Sequence, residues 1–318
     1  MVKNAMQAAP AAKEKKRGFL YNMRKYKYLY IMLIPTIVCL AIFNYYPMWG
    51  LRMAFYNYKP WLGFDGSTYV GWQNFTTLFK LPEFGRLIRN TLVLNVYKII
   101  FGFPAPILFA LLLSEVRNRA FKRTLQTISY LPHFVSWVIV QGIMYALINS
   151  QYGLINNMIK TLGATPPKWY AAPEMWRAIL VITDIWKSVG FSSILYLAAI
   201  ANVNEEWYEA AVIDGASRFR QVWSITIPCI MPTVVVMFIM QMGSLMNGSF
   251  QQVMTLVGSN TPLYKTVETL DFYIYRVGLG KQKYSLGTAA GIFQSLIGLI
   301  LVVVTNKIAN KVGDMGIW

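Results

Sequence analysis

Charged side chains within the apolar stretches of this sequence are its first candidates for chemistry. The 318-residue chain is 56% hydrophobic and 14% charged, yet Lys98, Asp184 and Lys187 each interrupt a long apolar run. An ionisable group in an apolar environment is costly unless it is paired, so such residues are candidates for function. Asp184 and Lys187 are three positions apart and can pair on one face of a helix. Two interpretations stay open: the pair neutralises itself while the Lys98 side chain extends to the surface, or the three charges relay ions.

Other reactive groups are sparse. His133 is the one histidine, so the sequence holds no His cluster for zinc and no evident Ser/His/Asp set, and we expect His133 to pack or to start a helix. Cys39 and Cys229 fall in apolar runs, where packing is their expected role. The phosphate-binding pattern GxxxxGK[ST] is absent. We therefore expect no metal, no bound cofactor and no ATP hydrolysis by this chain.

A second group of charged residues lies between two apolar runs, in the stretch 204–224. Asn204 can cap a short helix whose first turn is acidic, a placement that the helix dipole favours. Gly215 can end that helix in a left-handed conformation, and Ser217 can cap a second helix. Ala210 and Ala211 are small enough to let another backbone approach. We predict a helix–turn–helix that a partner protein binds; the alternative is an ordinary amphipathic helix at a membrane surface.

The elements that must position these residues are long apolar helices. A hydrocarbon core of about 30 Å needs about 20 apolar residues in a helix, whereas strands of a membrane barrel are about ten residues long and alternate in polarity. The apolar runs here are twice that length and do not alternate. We predict an all-α, polytopic membrane protein with six transmembrane helices, near 28–51, 91–114, 127–148, 178–203, 225–246 and 284–306.

The distribution of basic residues predicts the orientation of these spans. The tail 1–27 and the short connection EVRNRAFKR are rich in Lys and Arg, as cytoplasmic flanks are. Both termini and the loop 204–224 are then cytoplasmic, and the domain 28–318 is the membrane domain. The net charge of +17 is scattered among the tail and the loops, which fits membrane lipid and not nucleic acid as a partner.

The stretch 209–228, EAAVIDGASRFRQVWSITIP, resembles the EAA signature of permease subunits of binding-protein-dependent ABC importers. The matching positions are Glu209, Ala210, Ala211, Asp214, Gly215, Ala216, Ile225 and Pro228. Trp223 and Ile227 depart mildly from the usual pattern. The stretches 69–79, 89–95, 121–137 and 267–279 resemble the carbohydrate-uptake branch, and 273–311 is most similar to permeases for alginate or rhamnogalacturonan oligosaccharides.

The resemblance implies one half of a heterodimeric channel in the bacterial inner membrane. The second half is another permease subunit, a cytoplasmic ATPase dimer binds ATP and magnesium, and a solute-binding protein delivers the sugar outside. Glu209 and its neighbours would contact basic residues of the ATPase, and Gly215 would form the bend. The main alternative is a self-sufficient secondary transporter that couples ions through Asp184 and Lys187, which predicts internal repeats. No convincing repeat is visible. A membrane-embedded enzyme would need paired acids or a His/Cys set within the spans.

The substrate path is predicted among spans three to six, where amides and hydroxyls interrupt the apolar wall. The candidates are Gln241, Ser244, Asn247 and Gln294, with the aromatic residues Tyr145, Trp186 and Tyr196 for stacking on sugar rings. Two alternatives are equally simple. The amides and hydroxyls would form hydrogen bonds between helices, and the aromatic residues would lie at the membrane surface or pack within the protein. The predicted outward segments, 52–90, 149–177 and 247–283, carry twelve basic and five acidic residues. That balance favours an acidic oligosaccharide, although an acidic binding protein or anionic lipid would also suit it.

Overall fold

The computed structural model describes residues 25–247, 249–313 and 316–317. The basic tail falls almost wholly outside these residues. The chain divides into two compact units after Arg52. The described part of the first unit is helical and apolar, and none of its side chains in Lys27–Leu40 is buried within this chain.

Long apolar helices dominate the described chain, which confirms the all-α, polytopic class. In chain order the elements are α1 (Lys27–Phe55), β1 (Tyr56–Lys59), β2 (Gly63–Tyr69), α2 (Gln73–Phe79), α3 (Phe84–Ser114), α4 (Arg119–Phe134), α5 (Trp137–Ile148), α6 (Leu154–Thr161), α7 (Pro173–Ala201), α8 (Glu205–Ile213), α9 (Arg218–Gly243), α10 (Phe250–Leu256), α11 (Tyr264–Val267), α12 (Leu270–Tyr273) and α13 (Tyr284–Gly313). By length and composition α1, α3, α7, α9 and α13 can each cross a membrane, and α4 with α5 is a sixth candidate. The antiparallel hairpin β1–β2 is a small addition that the sequence did not predict.

The third predicted span, 127–148, is broken into α4 and α5, whose axes meet at 101°. Val135 and Ser136 both adopt extended backbone angles, with ψ of 129° and 152°. The Ser136 hydroxyl accepts a hydrogen bond from the Ile139 amide at 3.3 Å and so caps α5. His133 lies in the last turn of α4, where its ring stacks on Phe191 at a centroid distance of 3.9 Å. His133 is therefore a packing residue, which was one of the two roles expected for it, and it does not start a helix.

Three long helices contain a π turn two residues before a proline. These turns are Ala41–Tyr45 before Pro47, Lys98–Gly102 before Pro104, and Val222–Thr226 before Pro228. Proline has no amide hydrogen, and its ring clashes with the carbonyl four residues earlier in an α-helix. The wider π turn accommodates that carbonyl, because the preceding amide bonds the carbonyl five residues back, as in Phe103 N to Lys98 O at 3.0 Å. The helices continue through the prolines as a result.

The segment between α9 and α13 is folded and mostly buried, although the sequence indicated a long outward loop. Leu263, Val267 and Leu270 are fully buried, and α10 and α11 share a core with Trp176 and Leu180 of α7. Charges fasten the segment as well. The Glu268 carboxylate is 0% exposed and is paired with Arg86 at 2.9 Å and with Arg276. Removing one partner from such a buried cluster typically costs about 3–5 kcal/mol.

Candidate functional site

The helix–turn–helix predicted from the acidic stretch is present. The side-chain oxygen of Asn204 accepts a hydrogen bond from the Glu206 amide at 3.0 Å and caps α8. Helix α8 ends where Gly215 adopts a φ of +73°, and the Ala216 amide then bonds the Ala211 carbonyl at 2.8 Å. A side chain at Gly215 would meet no atom within 4 Å, so the backbone conformation and not space requires glycine here.

The second helix of this motif is not a separate element. Its residues form the first turns of α9, which Ser217 caps and which runs without interruption from Arg218 to Gly243. The sequence had indicated that the loop ends at 224 and the span begins at 225. The π turn before Pro228 makes this continuity possible. Two further hydrogen bonds attach α8 and the turn to α9: Gln221 Nε2 donates to the Ala216 carbonyl at 2.9 Å, and the Tyr208 and Thr226 hydroxyls lie 2.8 Å apart.

The loop presents an exposed surface that is both acidic and apolar. Glu209 and Asp214 are exposed, Ala210 is exposed beside Glu209, and Ala211 and Ala216 are half-buried. Five large apolar side chains are more than half exposed within this chain: Trp207, Val212, Ile213, Phe219 and Trp223. Contiguous apolar groups at a surface mark interaction sites more often than chance exposure does. None of the loop's carboxylates forms a salt bridge with another described residue.

A cavity of about 500 Å³ lies among α3, α7 and α9. Three of the predicted path residues line it: Tyr196 on α7, Gln241 on α9, and Ser244 just after α9. The structure adds polar lining residues that the sequence did not single out, namely Asn95, Ser188 and Ser192. A volume of this size is within the usual range for small-molecule sites, roughly 300–1,000 Å³.

The other four predicted path residues do not line this cavity: Tyr145, Trp186, Asn247 and Gln294. Gln294 Nε2 donates to the Met246 carbonyl at 2.6 Å and to Asn247 Oδ1 at 2.5 Å, so both amides join α13 to the chain after α9. Tyr145 is about half exposed and packs edge-on against Tyr152, and Trp186 is also exposed within this chain. These contacts match the alternative of hydrogen bonding between helices for the amides.

The charges within the spans pair differently from the expectation. Lys98 Nζ lies 3.4 Å from Asp184 Oδ1 and donates to Gln252 Oε1 at 2.8 Å. Lys187 instead donates to the carbonyl oxygens of Pro132 at 3.3 Å and His133 at 2.5 Å. The predicted Asp184–Lys187 pair is therefore wrong, because the two side chains leave α7 toward different neighbours. Lys98 does not extend to the surface, since its residue is only 5% exposed.

Lys98 and Asp184 both line the cavity, and together they are its charged lining residues. The spacing of the sequence could not reveal this contact, because it joins α3 to α7 across 86 positions. One signal was available: Asn95 and Lys98 are three residues apart in an apolar helix and so share a polar face. Within the residues that the structure describes, no three His, Cys, Asp or Glu side chains are grouped to hold a metal ion.

Apolar spans, a cavity among three of them that has charged and polar lining residues, and an exposed helix–turn–helix continuous with one span together define a membrane transport subunit. The chain belongs to the family of binding-protein-dependent transport system inner membrane components, whose model matches residues 102–313. It is a multi-pass permease subunit and not itself an ATPase. The family assignment places it in a binding-protein-dependent system, and not among self-sufficient secondary transporters.

The similar proteins cover nearly the whole chain. Protein LplB of Bacillus subtilis is 42% identical over 95% of this chain and 94% of its own length. The polygalacturonan/rhamnogalacturonan transport system permease protein YteP of the same species is 41% identical over the full length of both. A chain of a bacterial ABC transporter involved in the import of the acidic polysaccharide alginate is 39% identical, with a TM-score of 0.83 over 92% of this chain and 99% of that one. A chain of the alginate transporter in complex with an alginate pentasaccharide-bound periplasmic protein gives 38% identity and a TM-score of 0.84.

Proposed function

We propose that this chain forms half of the membrane channel of an importer for an acidic oligosaccharide. A second permease subunit completes the channel, a cytoplasmic ATPase dimer supplies the energy, and a solute-binding protein delivers the sugar from outside. The loop made by α8, Gly215 and the start of α9 faces the cytoplasm together with both chain termini. The spans lie in the bacterial inner membrane. ATP and magnesium bind to the ATPase and not to this chain.

One observation carries the coupling role. The surface around Glu209 is exposed, acidic and apolar, and hydrogen bonds attach it to α9, whose far end lines the cavity. A partner that moves this surface therefore moves a wall of the cavity. Glu209 and Asp214 are placed to meet basic residues of the ATPase, while Ala210, Ala211 and Ala216 allow its backbone to approach. Gly215 and Pro228 set the geometry of the turn and of the helix that follows it.

The substrate assignment is supported by charge and by the relatives. The segments placed outside hold eight exposed basic residues: Lys59, Lys80, Arg89, Lys160, Lys168, Lys265, Lys281 and Lys283. Their exposed acids are Asp65, Glu83 and Glu174. Arg86 and Arg276 are engaged with Glu268 and have a structural role instead. Two of the relatives are named for acidic polysaccharides, polygalacturonan and alginate.

The coupling assignment is tested by reversing one charge of the loop. In the complete complex in proteoliposomes, we expect Glu209→Lys to leave assembly intact and to reduce uptake per ATP hydrolysed by roughly tenfold or more, since a charge-assisted contact contributes about 1.5–3 kcal/mol. Glu115→Lys is the matched control, because Glu115 is also exposed but lies at the end of α3, outside the loop 204–224. Wild-type uptake and substrate-stimulated ATPase activity in Glu209→Lys would exclude the loop as the coupling surface.

A further inference from the structure

Lys98 lies in the cavity wall at an irregular point of its helix. It begins the π turn Lys98–Gly102 of α3, and π turns are frequent at functional sites because they redirect side chains. Lys98 is 5% exposed, yet it is one of the residues that line the cavity, and its ammonium group lies 3.4 Å from the carboxylate of Asp184, another lining residue. A cation with so little access to water needs acceptors within the protein.

The two acceptors of Lys98 are held to different degrees. Gln252 Oε1 is 2.8 Å away, and the Gln252 amide is itself fixed because its Nε2 donates to the Leu180 carbonyl at 2.7 Å and to Thr183 Oγ1 at 2.9 Å. The distance from Lys98 Nζ to Asp184 Oδ1 is longer, at 3.4 Å, and the Asp184 side chain is 30% exposed. Among the described residues it receives no hydrogen bond besides this ion pair. Gln252 is thus a fixed acceptor, whereas Asp184 is a loosely held counter-ion at the edge of the cavity.

We propose that Lys98 is the residue by which the cavity distinguishes an acidic sugar from a neutral one, with Asp184 as an exchangeable counter-ion. This inference rests on the proposed import of an acidic oligosaccharide. A uronate carboxylate entering the cavity takes the place of the Asp184 carboxylate beside the Lys98 ammonium, while Gln252 holds the ammonium in position. A neutral sugar offers hydroxyl groups alone, which make weaker hydrogen bonds to a cation than a carboxylate does. Lys98 then stays paired with Asp184.

The neighbouring polar groups suit the remainder of a sugar. Ser188 and Ser192 follow Asp184 on α7 at helical spacing, and Gln241 and Ser244 belong to the opposite wall. Hydroxyl and amide groups can hydrogen-bond to sugar hydroxyls whether or not the sugar is acidic. Selection for charge is therefore concentrated at Lys98, and the affinity for the sugar ring is distributed over the other residues.

The test compares a uronate oligomer with its carboxyl-reduced, neutral counterpart in the reconstituted complex. Half-saturating concentrations and maximal ATPase stimulation are measured for both sugars with excess binding protein. We expect Asp184→Asn, which frees Lys98 from its competitor, to lower the half-saturating concentration of the uronate severalfold. We expect the double variant Lys98→Gln/Asp184→Asn, which removes both charges of the ion pair together, to lose the preference for uronate by roughly ten- to hundredfold. Lys187→Gln is the control, because it removes a lysine of the same spans that does not line the cavity.

Each outcome decides between the proposals. Because the two sugars are compared within one preparation, a folding defect lowers both responses and leaves their ratio unchanged. An unchanged ratio in the double variant would show that Lys98 and Asp184 are a structural ion pair, and would leave the acidic substrate standing. A wild-type complex that responds equally to both sugars would instead refute the acidic substrate, and this inference with it. A loss of preference in Lys187→Gln equal to that in the double variant would also overturn the assignment to Lys98.

Discussion

At the scale of single residues, the buried charges of this protein are graded by how firmly their partners hold them. The Glu268 carboxylate is fully buried and forms salt bridges with two arginines, so its position is fixed. Lys98 has one fixed and one loosely held acceptor. Asp271 has an oxygen, Oδ2, that is buried without a partner in the described chain, while its Oδ1 accepts a hydrogen bond from the Phe272 amide at 2.8 Å. Such a group costs stability whenever it is ionised.

Asp271 gives a prediction about pH. Burial raises the pKa of its carboxyl above the usual range, and hydrogen bonds from Thr269 and the Phe272 amide oppose that rise in part. A raised pKa in the folded state means that the folded protein binds this proton more tightly, so its contribution to stability is full at low pH. It is lost as the pH rises from about 4 through the folded-state pKa.

We therefore expect Asp271→Asn to raise the thermal midpoint of the complex at pH 8, by roughly 2–4 °C for each kcal/mol recovered. The gain should shrink as the pH is lowered through the folded-state pKa of Asp271, where the wild-type carboxyl becomes protonated. Asp65→Asn is the control, since Asp65 is exposed in β2. A gain that does not depend on pH, or one that Asp65→Asn reproduces, would contradict this account of Asp271.

Which of these residues could be recognised from the sequence depended on how local their contacts are. Asn204, Gly215 and Ser217 could be predicted because capping is settled within four residues of chain. The partners of Lys98 and Asp184 could not, because α3, α7 and α10 are brought together by packing. Spacing on one helix favoured Lys187 for Asp184, but the Lys187 side chain is drawn to two carbonyl oxygens at the end of α4.

At the scale of elements, helices α4 and α7 come together through stacked rings at one end, where His133 meets Phe191, and through their backbones at Gly190. A Cβ atom added to Gly190 would lie 2.1 Å from the Ser129 carbonyl oxygen. Close approach of this kind is usual between membrane helices, where small residues replace the hydrophobic drive for packing. Hydropathy alone does not reveal this crossing, but a glycine in the middle of an apolar span is a signal of such a close approach.

Gly190→Ala tests this crossing. The added methyl group must push α4 away from α7, and we expect a loss of about 1–3 kcal/mol, seen as a lower thermal midpoint and less monodisperse complex. Gly142→Ala is the matched control, since Gly142 is also within an apolar helix but a Cβ there meets no atom within 4 Å. Alanine is the better helix former by about 1 kcal/mol, so the control should be neutral or stabilising. Equal midpoints for the two variants would contradict the close contact.

The elements themselves were predictable where hydropathy alone decides. Helix α7 ends within two residues of the predicted bound, and α13 begins at the predicted residue, Tyr284. Three other ends differ: α3 begins seven residues early at Phe84, α7 begins five residues early at Pro173, and α13 ends seven residues late at Gly313, because each helix continues beyond its apolar run. The break at Val135 and Ser136 has no glycine or proline at the bend itself, and it was missed. The folded segment 249–280 was missed because its helices are four to seven residues long, too short for a periodic pattern.

At the scale of the whole molecule, the proposed outward segments carry an excess of exposed positive charge. Fields of this kind raise the local concentration of anions, and they are screened by salt. Between about 0.1 M and about 1 M salt the screening length falls from about 10 Å to about 3 Å. The net charge thus has a consequence for transport that does not depend on any single contact.

We expect the half-saturating concentration of a uronate oligomer to rise severalfold over that range of salt, measured as ATPase stimulation of the reconstituted complex. A neutral oligomer of equal length, presented by the same binding protein, controls for the effect of salt on protein docking. The ratio of the half-saturating concentration of the uronate to that of the neutral oligomer should therefore rise with salt. Identical salt dependence for both sugars would refute electrostatic guidance of the substrate.

The prolines that follow the π turns also fix a rotational phase. A π turn holds one residue more than an α turn, and one residue corresponds to about 100° of rotation around a helix. If the turn before Pro104 rewound into regular α-helix, the residues on its two sides would rotate relative to each other by that angle, and Lys98 would leave the wall that Pro106 still lines. The same rewinding before Pro228 would swing the acidic loop around the axis of α9. Each proline, by requiring the π turn before it, therefore keeps the residues on the two sides of that turn in a fixed rotation relative to each other.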